Sequence, residues 1–215
     1  MTYFPDHLVA GYRDFLEGRY SEERERYHRL AESGQTPQTL VIACCDSRAA
    51  PETIFNTGPG EIFTLRNVAN LVPPYEPDEH LHAASSAIEF AVQALGVRHI
   101  VVLAHGRCGG IQAALNPGGE PLSEGDFIGH WVGLLTPLAR SVDPDGTMDP
   151  TERATALECH AVGQSIENLR TFPFVDKRER AGELSLHGAW FDISEGRLWV
   201  RDPEDGVFAP LDGTA

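Results

Sequence analysis

The chain has 215 residues, 41% hydrophobic and 23% charged, the composition of a globular domain long enough to bury one sizeable core. Seventeen Lys and Arg against 32 Asp and Glu give a formal net charge of -15, which argues against nucleic acid or an anionic lipid surface as a partner. The longest apolar run, residues 40–45, falls far short of the roughly 20 residues that cross a bilayer, so no membrane role is expected. The N-terminal stretch holds Asp6, Asp14 and Glu17 and lacks the basic start and apolar segment of a secretory signal, which predicts a cytoplasmic protein.

Residues 4–33 are rich in helix formers, with Phe4, Leu8, Tyr12, Phe15 and Leu16 at helical spacing and Gly18 as an interruption. One broken helix or two short ones are predicted, an N-terminal arm over 1–35 preceding an α/β core over 36–215 within a single domain. The aromatic stripe has two possible partners, its own domain or a second subunit, and spacing alone leaves both open.

Residues 39–43 (TLVIA), 62–65 (IFTL) and 99–104 (HIVVLA) are short runs rich in β-branched residues, the pattern of parallel strands buried on both faces. Between the second and third, Ile88, Ala91, Val92 and Leu95 recur at helical spacing, predicting a covering helix over 83–95. Strand, helix and strand in that order imply a mostly parallel central sheet flanked by helices. Residues 116–125 and 142–149 are loops by composition, with helices expected over 126–140 and 150–169. A strand pair over 184–193 and 197–201, joined by Ser194-Glu195-Gly196, closes the sequence.

The cysteines, Cys44, Cys45, Cys108 and Cys159, form no C-x-x-C pair and two are adjacent, which speaks for reduced thiols, some binding metal, over a disulfide framework. Cys44 ends the first strand, while His105 and Cys108 follow the third in a glycine-rich turn. Ligands gather at the carboxyl ends of parallel strands, so two adjacent strands can deliver all three side chains to one point. Two thiolates and one imidazole suit zinc, and three protein ligands leave a fourth position free, as in catalytic sites. Cys45 faces away from Cys44 on an extended chain, and Cys159 falls within a helix. Residues 106–110 lack both the Lys-Ser/Thr of a P-loop and G-x-G-x-x-G spacing, against a phosphate site.

Taken together, Cys44-Cys45-Asp46-Ser47-Arg48 and His105-Gly106-Arg107-Cys108-Gly109-Gly110 match the C-x-D-S-R and H-x-x-C-G-G signatures of β-class carbonic anhydrases. Arg66-Asn67-Val68-Ala69-Asn70 lies between them like the R-N-x-x-N block of that family, and Leu186-His187-Gly188 extends the resemblance toward the last strands. The resemblance implies one Zn2+ per chain on Cys44, His105 and Cys108, an Asp46–Arg48 dyad managing the fourth coordination position, and reversible hydration of carbon dioxide to bicarbonate by a zinc-bound hydroxide. Physical spacing agrees: residues two apart on an extended chain share a face, so Asp46 returns to the side of Cys44, and Arg48 continues the alternation with a planar fork suited to a carboxylate.

The same resemblance covers carbonyl sulfide and carbon disulfide hydrolases, while a non-catalytic zinc module would have no use for Asp46 and Arg48. Val41 and Phe191 stand where bicarbonate-inhibited members carry Trp and Tyr, leaving Arg66 without those companions, so an open site is expected. Gly58 replaces a glutamine of plant-type members, and Ala104 a glycine. Candidate substrate-binding residues are Val68, Ala69 and Gly109, with Phe63 beside them; Asn67 and Asn70 are expected to brace the loop. No role is assigned to His82, His130 or His187. The family usually assembles as homodimers or homotetramers, which is the expectation here.

Overall fold

The computed structural model describes residues 3–211. One compact unit runs to Thr36 and a second begins at Pro37. In the first, α1 (Asp6–Glu17) and α2 (Arg19–Ser33) are broken at Gly18, where the predicted interruption falls. Phe15 packs between Tyr20 and Tyr27, at centroid distances of 5.7 and 6.0 Å, so one ring of the stripe holds the two helices together. Phe4, Leu8, Tyr12 and Leu16 remain exposed.

The apolar runs of the second unit form β1 (Thr39–Cys44), β2 (Ile62–Asn67), β3 (His99–His105), β4 (Ser185–Asp192), β5 (Arg197–Arg201) and β6 (Phe208–Pro210). The sheet order is β2-β1-β3-β4-β5-β6. The first three pairings are parallel and the last two antiparallel. Each of β1, β2 and β3 extends past its β-branched run to take in Cys44, Asn67 or His105. The predicted hairpin forms between β4 and β5, with Gly196 at φ +66 and its N–H on Asp192 O. β6 was not anticipated: three residues, one of them Pro210, carry too little pattern to read.

The remaining helices are α3 (Pro51–Ile54), α4 (Ala83–Glu89), α5 (Gly109–Leu115), α6 (Phe127–Val132), α7 (Thr136–Ser141), α8 (Pro150–Arg170) and α9 (Pro173–Arg180). The helix expected over 83–95 is α-helical only to Glu89 and widens to a π turn over Phe90–Ala94, closed by Leu95 N–H on Phe90 O at 3.0 Å. The helix expected over 126–140 is two, with a 3-10 turn at Gly133–Leu135 between them. Pro137 explains the break, since its ring removes an N–H and fits only a first helical turn.

Leu40, Ile42, Ile100 and Val102 on one sheet face pack beneath α8 through Val162, Ile166 and Leu169. Val41, Ala43, Leu103 and Ala189 occupy the opposite face. A third cluster joins Cys44 and Cys108 to Ala69, Ile111, Leu135 and Leu157 at the carboxyl end of the sheet. That end is where the chemistry-bearing residues collect.

Candidate metal centre

β1 and β3 are hydrogen-bonded neighbours, with Ala43 opposite Leu103, so their carboxyl ends emerge side by side. Cys44 is the last residue of one and His105 of the other; Cys108 follows as the residue capping α5. The three potential ligand atoms lie within 4.8 Å of one another, and the two sulfurs are 3.9 Å apart. All three residues are buried.

The ring of His105 is fixed by a hydrogen bond from Nδ1 to Gly106 O at 2.9 Å, which leaves the Nε2 lone pair turned to the sulfurs. Nε2 is buried without a hydrogen-bond partner among the described residues, a costly state for a polar atom unless it ligates something. The thiols tell the same story. The bond between the sulfurs lowers the pKa of Cys44, whereas that bond and burial raise that of Cys108, so a thiolate on one opposes a thiolate on the other. A divalent cation among them resolves both problems, and a set of two sulfurs and one imidazole nitrogen fits zinc.

Asp46 and Arg48 reach this point by a different route from the one expected. The strand ends at Cys44; Cys45 N–H bonds Asn67 O and the chain turns, closing with Ala49 N–H on Asp46 O at 3.1 Å. The extended alternation therefore stops before Arg48. The dyad forms all the same: Asp46 Oδ1 accepts from the Arg48 backbone N–H and from Nε, both at 2.9 Å, and Oδ2 accepts from Nη2 at 2.7 Å. Oδ2 also faces His105 Nε2 at 3.9 Å. The guanidinium holds the Asp46 carboxyl well below the usual carboxylate range. Nη2 of Arg48 continues to Arg107 O at 3.2 Å, tying the turn after Cys44 to the one before Cys108.

Arg66, to which the sequence gave no partner, anchors the backbone of the first turn, with Nε on Cys44 O at 2.8 Å and Nη2 on Asp46 O at 2.7 Å. Asn67 braces its loop through paired bonds with the Leu71 backbone, both 2.8 Å. Val68, Ala69 and Asn70 follow, the last two at φ +61 and +49, a left-handed backbone that L residues rarely adopt. That geometry aims the Ala69 N–H at Cys44 Sγ, 3.4 Å away. Ala69 is fully buried, so its contribution is its amide, not an exposed substrate surface. Val41 and Phe191 lie in the apolar cluster of the sheet's second face.

Val68 borders two cavities. One, of about 620 Å³, is lined by Cys45, Leu65, Phe127 and Trp131 among others; the second, of about 610 Å³, by Gly109, Ala113, Ile128 and His130 among others. Trp131 donates its indole N–H to Val68 O at 2.8 Å, a contact with no sequence signal. Phe63 borders neither cavity and packs on Phe90 instead. His82 is bonded to Asp78 at 2.6 Å, and His187 to His99 at 3.2 Å. Glu158 was overlooked, although an acid on the buried stripe of α8, between Ala154 and Ala161, is a readable anomaly. It accepts the Cys108 backbone N–H at 3.0 Å.

Among the described residues, no helix is long and apolar enough to cross a membrane. The sequence profile of the carbonic anhydrase family matches residues 39–198. Beta carbonic anhydrase 3 of Arabidopsis thaliana is 34% identical over 202 residues, which cover 92% of this chain and 77% of that protein. The solved structure of the β-carbonic anhydrase CcaA superposes with a TM-score of 0.88 at 28% identity, over 95% of this chain and 91% of its own. One of two tetrameric β-carbonic anhydrases from Sordaria macrospora gives 0.80 at 27% identity, over 95% and 98%.

Proposed function

Because this chain belongs to the carbonic anhydrase family, in its β class, we propose that it catalyses the reversible hydration of carbon dioxide to bicarbonate and a proton, with zinc held by Cys44, His105 and Cys108. The observation that carries the reading is the convergence of those three ligand atoms within 4.8 Å, beneath a carboxylate already clamped by an arginine. Zinc held by these residues would supply Lewis-acid activation of water at neutral pH.

The protein's own residues do the rest. Asp46 accepts three hydrogen bonds from Arg48, which fixes the carboxylate as an acceptor and keeps it from swinging into the ligand set. Oδ2, with one bond from Arg48, is the atom free to orient a proton donor beside His105. This arrangement supports an open site at neutral pH. Val68 and Gly109 border the cavity through which a small uncharged substrate approaches, and the Ala69 amide steadies Cys44. Leu81 and Phe127, exposed beside the other cavity, support at least a dimer; a stable monomer in sedimentation at micromolar concentration refutes that part.

The test is proton release on mixing zinc-loaded protein with dissolved carbon dioxide near pH 7 and near pH 8.5, together with metal quantitation. Fast hydration at both pH values with one zinc per chain is expected. Activity confined to the higher pH overturns the open-site reading, and bound zinc without hydration at either overturns the activity.

A further inference from the structure

One buried ionisable side chain is unused by this chemistry. Glu158 lies on the inner face of α8 at 1% exposure. No Lys or Arg pairs with it among the described residues. Taking a carboxylate out of water costs several kcal/mol without compensation, and a leucine would fill the same space. What the carboxylate has is two N–H donors, one on each oxygen: the Cys108 backbone at 3.0 Å and the Trp190 indole at 2.8 Å.

The first donor belongs to the turn that carries the second thiol, and the other to β4, which packs against that turn. Cys108 follows Arg107, held at φ +58, a conformation costing about 1–2 kcal/mol for an L residue. Such a turn persists only where its surroundings impose it. Gly106, at the start of the turn, gives its N–H to Phe191 O at 2.9 Å, and its α-carbon lies so near Trp190 that a Cβ would stand 3.2 Å from the ring. β4 thus grips one end of the turn and α8, through Glu158, the other, and the Glu158–Trp190 bond joins the two grips.

We infer that Glu158 is a positioning residue of the metal centre, its carboxylate locking the Cys108 backbone, and through Trp190 the Gly106 turn, so that Cys108 Sγ is presented to Cys44 Sγ and His105 Nε2 in binding geometry. The inference rests on the metal-centre reading above. It makes Glu158 an outer support acting through backbone, where metal sites more often use a carboxylate on a ligating imidazole.

The test compares the zinc-loaded full chain with its Glu158→Gln variant, whose amide offers one carbonyl and turns an N–H pair against the other donor. Zinc release is followed by colour formation with excess 4-(2-pyridylazo)resorcinol, and the cobalt-substituted proteins give sulfur-to-metal absorption spectra. Release about 10- to 100-fold faster than wild type, with a shifted cobalt spectrum and an unchanged far-ultraviolet circular dichroism spectrum, is expected. Wild-type release and spectrum in the variant, whatever its melting temperature, overturn the inference. If Glu158→Gln does not fold, Glu158→Asp, which keeps the charge and withdraws it by one methylene, is held to the same two outcomes. Wild-type protein that takes up no zinc refutes the metal-centre reading itself, which separates the two failures.

Discussion

Gly110 offers a direct way to strain the centre without touching a ligand. A methyl group there would stand 2.6 Å from Val68 Cγ1 and 3.0 Å from Ala69 Cβ. Ordinary carbon contacts lie near 3.5–4.0 Å, so Gly110→Ala must part α5 from the Val68–Ala69 loop by about 1 Å. The Ala69 amide then moves off Cys44 Sγ, from 3.4 Å to a separation at which little of the bond survives. Overpacking of this kind costs about 1–3 kcal/mol, partly offset by the better helix propensity of alanine. A net loss of about 1 kcal/mol lowers the melting temperature by about 2–4 °C in a chain of this size. Gly188→Ala is the comparison, since its methyl would meet Val162 Cγ1 at 2.7 Å and Arg201 Cβ at 3.0 Å, on β4 and three residues short of the site end. Melting curves and stopped-flow carbon dioxide hydration, normalised to bound zinc, decide the matter. Both variants should melt earlier, while only Gly110→Ala should lose activity per zinc, by about tenfold. Equal loss in the two, or full activity in Gly110→Ala, refutes the claim that the 68–70 loop supports Cys44.

Asp46→Asn replaces a clamped carboxylate with an amide and should lower kcat/KM by about a hundredfold or more while leaving zinc content unchanged; loss of zinc would show that Asp46 is itself a ligand. Alkylation of the zinc-loaded protein near pH 8 should label exposed Cys45 and spare Cys159, whose thiol burial pushes up to about 12; peptide mass spectrometry that finds Cys159 labelled first counts against its burial. Burial and the neighbouring His99 lower the pKa of His187 below the 6.5 of a free imidazole, so the unfolded chain takes the proton more readily. The stability this contributes is present above about pH 6.5 and is lost as pH falls through the lowered value, so His187→Gln should flatten the melting temperature between about pH 7 and 5.

The parallel core was legible because buried parallel strands carry a dense code: 39–43, 62–65 and 99–104 hold little but β-branched and small apolar residues. The residues that could hold a metal were legible because they sit where that code stops. Past the strand ends the sequence was weaker. Asp46 and Arg48 look two apart on a strand, yet the backbone turns through a hydrogen bond from Ala49, which spacing does not encode. The switch from α to π at Phe90 and the break at Gly133–Leu135 both passed as continuous periodicity, although Pro137 was a signal for the second. Trp131 and Glu158 reach the centre from the far side of the chain, so only the oddity of a buried acid pointed to one of them.

The partnership of β1 with β3, completed by Trp190 and Glu158, also bears on biosynthesis. All three signature residues have been translated by residue 108, but the carboxylate and the indole that brace the last of them come from α8 and β4. A nascent or prematurely terminated chain ending near residue 150 therefore carries the whole recognisable signature, an uncovered β3 edge and a Cys108 amide with no acceptor. The brace for Cys108 is thus complete only once α8 and β4 have both been made.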